Sequence, residues 1–339
     1  METDRVRAPN IRDVAARAGV SYQTVSRVLN DSPSIRDATR DRVLAAIEEL
    51  GYRPNQAARA LVTSRSRTIG VLSAMTAHYG PTTAINSIEM AAREAGYRLT
   101  ITNSQSSGYA SIKSSLDHLL SQSIEALVVI APQVRVFEAI QDLSISVPFV
   151  TIESTGRDIG HSMSVDQVAG ARLATKHLID LGHTEILHIA GPQDWIEAEA
   201  RMQGYLQALG EADLRTRAPI LGDWSASFGY WAGLELLRMR DFTAVFAGND
   251  QMALGFLHAC RDAGLEVPGD ISVIGFDDLP ESAHFSPPLT TVRQNFTEVG
   301  RRAIAILLAE LRGETGIDHV MVAPELILRE STARPPAAS

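Results

Sequence analysis

Between Tyr22 and Leu29 the apolar residues Val25, Val28 and Leu29 fall on one side of a helical repeat, and Tyr22, Gln23, Ser26 and Arg27 on the other. Near the start of a helix, such side chains are the right kind to read DNA. Arginine can hold guanine O6 and N7 with two hydrogen bonds, glutamine suits adenine, and tyrosine can meet a base edge or a phosphate. A solvated helix face would have the same composition. Farther along, Asn249 and Asp277 come at the ends of the apolar runs at 244–247 and 271–276. With Arg201 and Gln294 they form a set of planar side chains that can hold vicinal hydroxyls. An indole such as Trp224 can cover the apolar face of a pyranose ring. Asn-Asp and Asp-Asp pairs after strands are also common turn formers. Asp277 and Asp278 could suggest paired catalytic carboxylates, but adjacent residues usually point apart.

Three short helices must carry the first group. Asn10 is an expected N-cap with Asp13 in the first turn, and Ile11, Val14, Ala15 and Ala18 follow at helical spacing before Gly19 stops the helix. Ser21 caps the second helix. A third is expected from Asp37 to Leu50, with Val43, Leu44, Ile47 and Leu50 inward and Gly51 ending it. Two helices joined around a glycine, with a third across them, make a helix-turn-helix unit. From Thr68 the pattern changes. Apolar strands at 68–72, 98–102, 126–130, 149–152, 186–190, 244–247 and 271–276 alternate with amphipathic helices near 83–95, 110–122, 168–181, 197–209, 226–238 and 251–263. Such alternation predicts parallel sheets covered by helices, and the length suggests two lobes with a ligand cleft at the strands' carboxyl ends.

Of 339 residues, 45% are hydrophobic, enough for a full core and about two domains. One cysteine, Cys260, excludes an intrachain disulfide or a cysteine-cluster zinc site and suits a reducing compartment. No apolar run is long enough for a membrane span, and METDRVRAPN has no signal-peptide core. The net charge of −9 argues against nucleic acid until it is divided. Residues 1–68 hold twelve arginines and eight acids, a net of +4, whereas the other 271 residues carry −13. His177 and His183 in HLIDLGH are expected to cap or pack rather than bind metal. No GxGxxG or GxxxxGK[ST] motif is present, and no cofactor is expected.

The run IRDVAARAGVSYQTVSRVLN (Ile11–Asn30) resembles the DNA-reading headpiece of the LacI/GalR family of bacterial transcription regulators. The likeness continues through LGYRPNQAARAL (Leu50–Leu61), similar to the family's hinge, and through GDWSA (Gly222–Ala226), AGNDQMALG (Ala247–Gly255), GFDD (Gly275–Asp278) and PPLTTVRQNF (Pro287–Phe296). It covers about residues 10–330. It implies an all-α helix-turn-helix headpiece at 1–53, a hinge helix and linker at 54–67, and a two-lobed core at 68–331 like the periplasmic binding proteins. The N-terminal lobe would take about 68–165 and 296–322, the C-terminal lobe about 166–293 and 323–331, leaving 332–339 as a disordered tail.

The resemblance also assigns positions. Ser21, Tyr22, Gln23, Thr24, Ser26, Arg27 and Asn30 match DNA-contacting residues. In the hinge, Asn55 would cap a short helix containing Ala58, and Leu61 would wedge between base steps of the minor groove. Arg201, Trp224, Asn249, Asp277 and Gln294 match the family's inducer contacts. Compared with its lactose-type pocket, Pro81 is kept, while Ala74 replaces a serine, His78 a leucine, Ile130 an asparagine, Glu153 an aspartate and Glu197 a serine. Trp195 could extend the pocket toward a second sugar ring or anchor its own loop at the surface.

The expectation is a cytoplasmic, homodimeric repressor of a sugar-utilisation operon. It would be released from a pseudo-palindromic double-stranded operator by a sugar, with a galactoside or another disaccharide among the candidates. A co-repressing ligand and a stand-alone sugar-binding module remain alternatives. A glycosidase would need two carboxyls ~5–9 Å apart across its substrate, and no convincing pair is present.

Overall fold

Asn10 caps the first helix, α1 (Ile11–Ala18), by accepting from the amides of Arg12 and Asp13, while Asp13 accepts from the Asn10 amide at 2.7 Å. Gly19, at φ 65°, ends it. The Ser21 hydroxyl caps α2 (Tyr22–Leu29) by accepting from the Thr24 amide at 3.1 Å, and Gly51, at φ 57°, ends α3 (Asp37–Leu50). Val14, Ala15, Ala18, Val25, Val28, Val43 and Ala46 make one small core, and Arg17 clamps α1 to α3 through Glu49. Leu44, expected inward, is exposed. The buried stripe of α3 follows Val43, Ala46, Ile47 and Leu50, so Leu44 is rotated about 100° off its leading edge.

This computed structural model describes residues 9–29, 32–53, 65–74, 78–104, 106, 108–141, 143, 145–152, 162–239, 241–314 and 320–336. The helical unit ends at Ser66 and a second unit begins at Arg67.

The second unit holds two parallel sheets. The first contains β1 (Thr68–Ala74), β2 (Arg98–Ser104), β3 (Ala126–Ile130), β4 (Phe149–Ile152) and β5 (Ser162–Met163) in the order β2-β1-β3-β4-β5. Helix α4 (Tyr79–Glu94) lies on one face, α5 (Tyr109–Ser121) and α6 (Val134–Gln141) on the other, and the central strand β3 is buried along its whole length. The second sheet contains β6 (Ile186–Ala190), β7 (Ile220–Leu221), β8 (Ala244–Ala247) and β9 (Ser272–Ile274), ordered β7-β6-β8-β9. It is covered by α7 (Gln167–Asp180) and α8 (Ile196–Glu211) on one side and by α9 (Ala226–Leu236) and α10 (Asp250–Asp262) on the other. Gly229 and Gly255 let α9 and α10 meet backbone to backbone, since a Cβ on Gly255 would stand 1.9 Å from the Ala226 carbonyl.

The chain crosses between lobes after β5, after β10 (Thr291–Arg293) and before β11 (Glu325–Ile327), so α11 (Phe296–Leu311) packs in the first lobe although most of its sequence neighbours lie in the second. The short strands β5, β7, β10 and β11 and the helices α6 and α11 are additions to the sequence-based reading.

Of the segment expected to be a disordered tail, 332–339, Thr332 and Ala333 are bonded to the core, directly after a buried Ser331. Ser331 is fully buried and donates to the Val273 carbonyl, the Ala333 amide donates to Ser272, and His183 reaches the Ala333 carbonyl. On the free side of β9 the Val273 N–H and carbonyl are met by the Ser331 carbonyl and hydroxyl, while Ala333 bonds the Ser272 hydroxyl. His177 bonds Thr332 and His183 also bonds Thr243, so both histidines serve packing as expected.

Candidate functional site

The strand ends of both lobes face a cavity of about 270 Å³. Asp277 follows β9 at φ 114°, a left-handed conformation that turns its side chain inward, while Asp278 at φ 53° turns the other way. Asp278 binds Arg293 and Arg329, so the two carboxylates diverge. Asp277 instead joins a closed ring. Arg201 donates to Gln167 at 2.8 Å and to Asp277 at 3.3 Å, Gln167 donates to Gln294 at 2.6 Å, and Gln294 donates to Asp277 at 2.7 Å. The remaining Arg201 nitrogen bonds the Gly248 carbonyl, and the guanidinium lies 3.9 Å from the Phe276 ring centroid. All four ring members are buried.

Burial pushes the Asp277 carboxyl up to about 6, against the pull of Arg201 and Gln294, and lowers Arg201. Both partners are driven toward neutrality. Desolvation therefore outweighs attraction in this pair, and the hydrogen-bonded ring holds it in place.

Trp224, at φ 69°, lies flat on glycine: a Cβ on Gly191 would come within 2.1 Å of its ring. It is 7% exposed, and its Nε1 is a buried donor without an acceptor among the described residues. Asn249 caps α10 by accepting from Met252 and donates to the Trp224 carbonyl, which fixes the loop carrying the indole. Trp195 is only 6% exposed and stands edge-on to Trp224 at 5.8 Å and to His78 at 4.9 Å. It is a wall of the cavity and not a surface anchor. Burial lowers the His78 pKa against the opposing influence of Asp223.

Of the expected ligand-binding positions, His78, Pro81, Glu197, Arg201, Trp224, Asn249, Asp277 and Gln294 line this one cavity. Ala74 does not. At the end of β1 it packs with Leu72 and Ile112 under α5. Glu153 lies outside the described residues. The sequence reading missed Gln167, the fourth ring member, and Tyr79, Ser164, Asp223 and Phe296. Gln167 opens α7 directly after a lobe crossing, and only its packing against Arg201 and Gln294 distinguishes it. Among the described residues there is no cluster of three His, Cys, Asp or Glu side chains suited to a metal ion.

On the helical unit Tyr22 is 55% exposed, and Gln23 and Arg27 are exposed beside it. Ser26 is half-buried, and the hydroxyls of Ser21 and Thr24 bond each other at 3.0 Å. One exposed face of α2 thus carries Tyr22, Gln23 and Arg27, the arrangement a base-reading helix requires. Asn30, Asn55, Ala58 and Leu61 lie outside the described residues. No described helix is long and apolar enough to cross a membrane.

Comparison with known proteins matches residues 10–55 to the family described as bacterial regulatory proteins, lacI family, and residues 175–332 to the periplasmic binding protein-like domain. The lactose operon repressor of Escherichia coli (strain K12) is 33% identical over 325 residues, spanning 95% of this chain and 90% of that protein. The transcriptional repressor PurR of Haemophilus influenzae (strain PittEE) is 35% identical over 336 residues, spanning 95% and 98%. Among solved structures, the lac repressor dimer bound to operator and the anti-inducer ONPF superposes with a TM-score of 0.86 at 32% identity, covering 96% of this chain and all of that one. A complex of the regulator CelR with cellobiose gives 0.70 at 31% identity, covering 95% and 99%.

Proposed function

Because the chain belongs to the lacI family of bacterial regulatory proteins, we propose that it represses a sugar-utilisation operon and is released from its operator by an uncharged saccharide bound between the lobes. Its relatives are transcriptional regulators and not enzymes, and this chain is likewise a DNA-binding regulator with a ligand-binding core. One observation carries the choice of ligand. The planar ring Arg201–Gln167–Gln294–Asp277 and the Trp224 indole, whose N–H has no acceptor among the described residues, border one small cavity. Vicinal hydroxyls would exchange with the ring's bonds, and the indole would cover the sugar's apolar face.

Charge favours a neutral ligand. Among the described lining residues Arg201 is the sole guanidinium or ammonium, and its Nε, Nη1 and Nη2 are all engaged. Glu197, Asp223 and Asp277 line the same space, so a phosphorylated or carboxylated ligand would meet net repulsion. Calorimetric titration with lactose and cellobiose against glucose 6-phosphate tests this. Binding of the phosphate ester alone would overturn the neutral-ligand reading.

In this reading Tyr22, Gln23 and Arg27 enter the major groove of one half-site, and arginine contacts to phosphate supply affinity. The hinge positions Asn55, Ala58 and Leu61 act at the minor groove between half-sites. A second copy of the chain covers the outer face of α9 and α10, where Trp231 is 65% exposed beside exposed Leu254. A dimer is the form in which the similar lac repressor was solved on its operator. Sugar and operator then oppose each other through a coupling of about 1–3 kcal/mol. The molecule works in the cytoplasm, where both partners are found.

A further inference from the structure

Helices α6 and α8 begin opposite each other across the lobe boundary, and each uses its first amide on the other lobe. The Val134 N–H donates to the Asp194 carbonyl at 3.0 Å, and the Ile196 N–H donates to the Pro132 carbonyl at 2.9 Å. Gln133 and Trp195 face each other between them as an antiparallel bridge. First-turn amides have no acceptor within their own helix, so these two bonds cost neither helix anything. Arg135 adds an ion pair to Asp194. Neither Arg135 nor Asp194 lines the cavity, yet Asp194 is joined directly to Trp195, which does.

We propose that this clasp holds Trp195 in the cavity wall, making Arg135 of the first lobe a positioning residue for a ligand it never touches. The proposal rests on the cavity being the effector site. His78 completes the arrangement, because its ring meets the edge of Trp195 from the first lobe. Any lobe movement that separates 132–135 from 194–196 breaks two backbone bonds and an ion pair together, and releases the indole that bounds the ligand. The clasp thus ties the shape of the pocket to the relation between the lobes.

The test can be read without any ligand. In a Trp231→Phe background the remaining indoles, Trp195 and Trp224, are both buried, and acrylamide quenching reports their exposure. Val134→Pro removes one donor at the first position of α6, where a helix tolerates proline. This variant is expected to raise the quenching constant at least twofold. Arg135→Ala and Asp194→Asn should raise it less, because the pair is partly exposed, and both stay informative if the proline variant fails to fold. Joint reversal, Arg135→Asp with Asp194→Arg, should restore the wild-type value that Arg135→Asp alone loses. A Trp195→Phe control should abolish the increase. Unchanged quenching in all the variants, or an increase that survives Trp195→Phe, would overturn the proposal. Affinity for lactose or cellobiose should fall two- to fivefold in Arg135→Ala. If wild type binds neither sugar, the ligand reading fails for those probes while quenching still decides the clasp.

Discussion

Arg201 shows how a residue can be fully satisfied and still be available to a ligand. Its Nε and one Nη bond the side chains of Gln167 and Asp277, which a hydroxyl-rich molecule can replace one for one, while the other Nη stays on the Gly248 carbonyl, so binding need leave no buried donor orphaned. The acids around it are sensitive to pH. Asp277 is held up at about 6 and Asp250 at about 7, chiefly by burial and, for Asp250, next by the charge of Asp277. Both folded values exceed the ordinary 3.8, so each group's contribution to stability is complete below the unfolded value and is lost as pH rises through the folded one. Urea midpoints between about pH 4 and about pH 7 are expected to decline more steeply for wild type than for Asp277→Asn. Identical slopes would contradict the burial account. At the helix face, Arg27→Ala is expected to cost about 1–3 kcal/mol on a specific operator and much less on random DNA, measured by competition binding. Equal losses would remove its base-reading role. These side chains were legible because their spacing and their strand-end positions carry chemical meaning. Gln167 was not, since nothing local marks a glutamine whose partners lie 34 and 127 residues away.

Elements explain where the sequence reading succeeded and where it stopped. Parallel strands such as β1 and β3 announce themselves by apolar runs, IGVL and ALVVI, because both of their faces are covered. Strands of two or three residues such as β5, β7 and β10 leave no periodicity to read, and their pairing depends on what the rest of the sheet leaves open. Thr332 and Ala333 are the clearest case: the resemblance leaves them to a tail, and bonds to His177 and Ser272 dock them beside β9. Glycine positions are more telling. Gly255→Ala would press a Cβ onto backbone atoms of α9, which cannot yield as a side chain would, and is expected to destabilise the core by about 1–3 kcal/mol or more. Equilibrium urea unfolding measures it, and an unchanged midpoint would mean that α9 and α10 can separate without cost.

For the whole molecule, the division of charge into a basic head and an acidic body confines DNA attraction to the helical unit. The exposed Trp231 and Leu254 make assembly testable: sedimentation of wild type should report a dimer of the 36.7 kDa chain, and Trp231→Asp should shift it toward monomer. A dimer unaffected by that change would place the interface elsewhere. The central claim joins the two units, with a neutral sugar in the core weakening a grip on DNA held by α2. Fluorescence anisotropy of a labelled lac-type operator, titrated with mono- and disaccharides, measures that link directly. At least one uncharged saccharide should release the operator from wild type, while Trp224→Ala should bind the same operator as tightly and fail to let go. An operator complex that no neutral sugar disturbs, or one released equally well from Trp224→Ala, would contradict it.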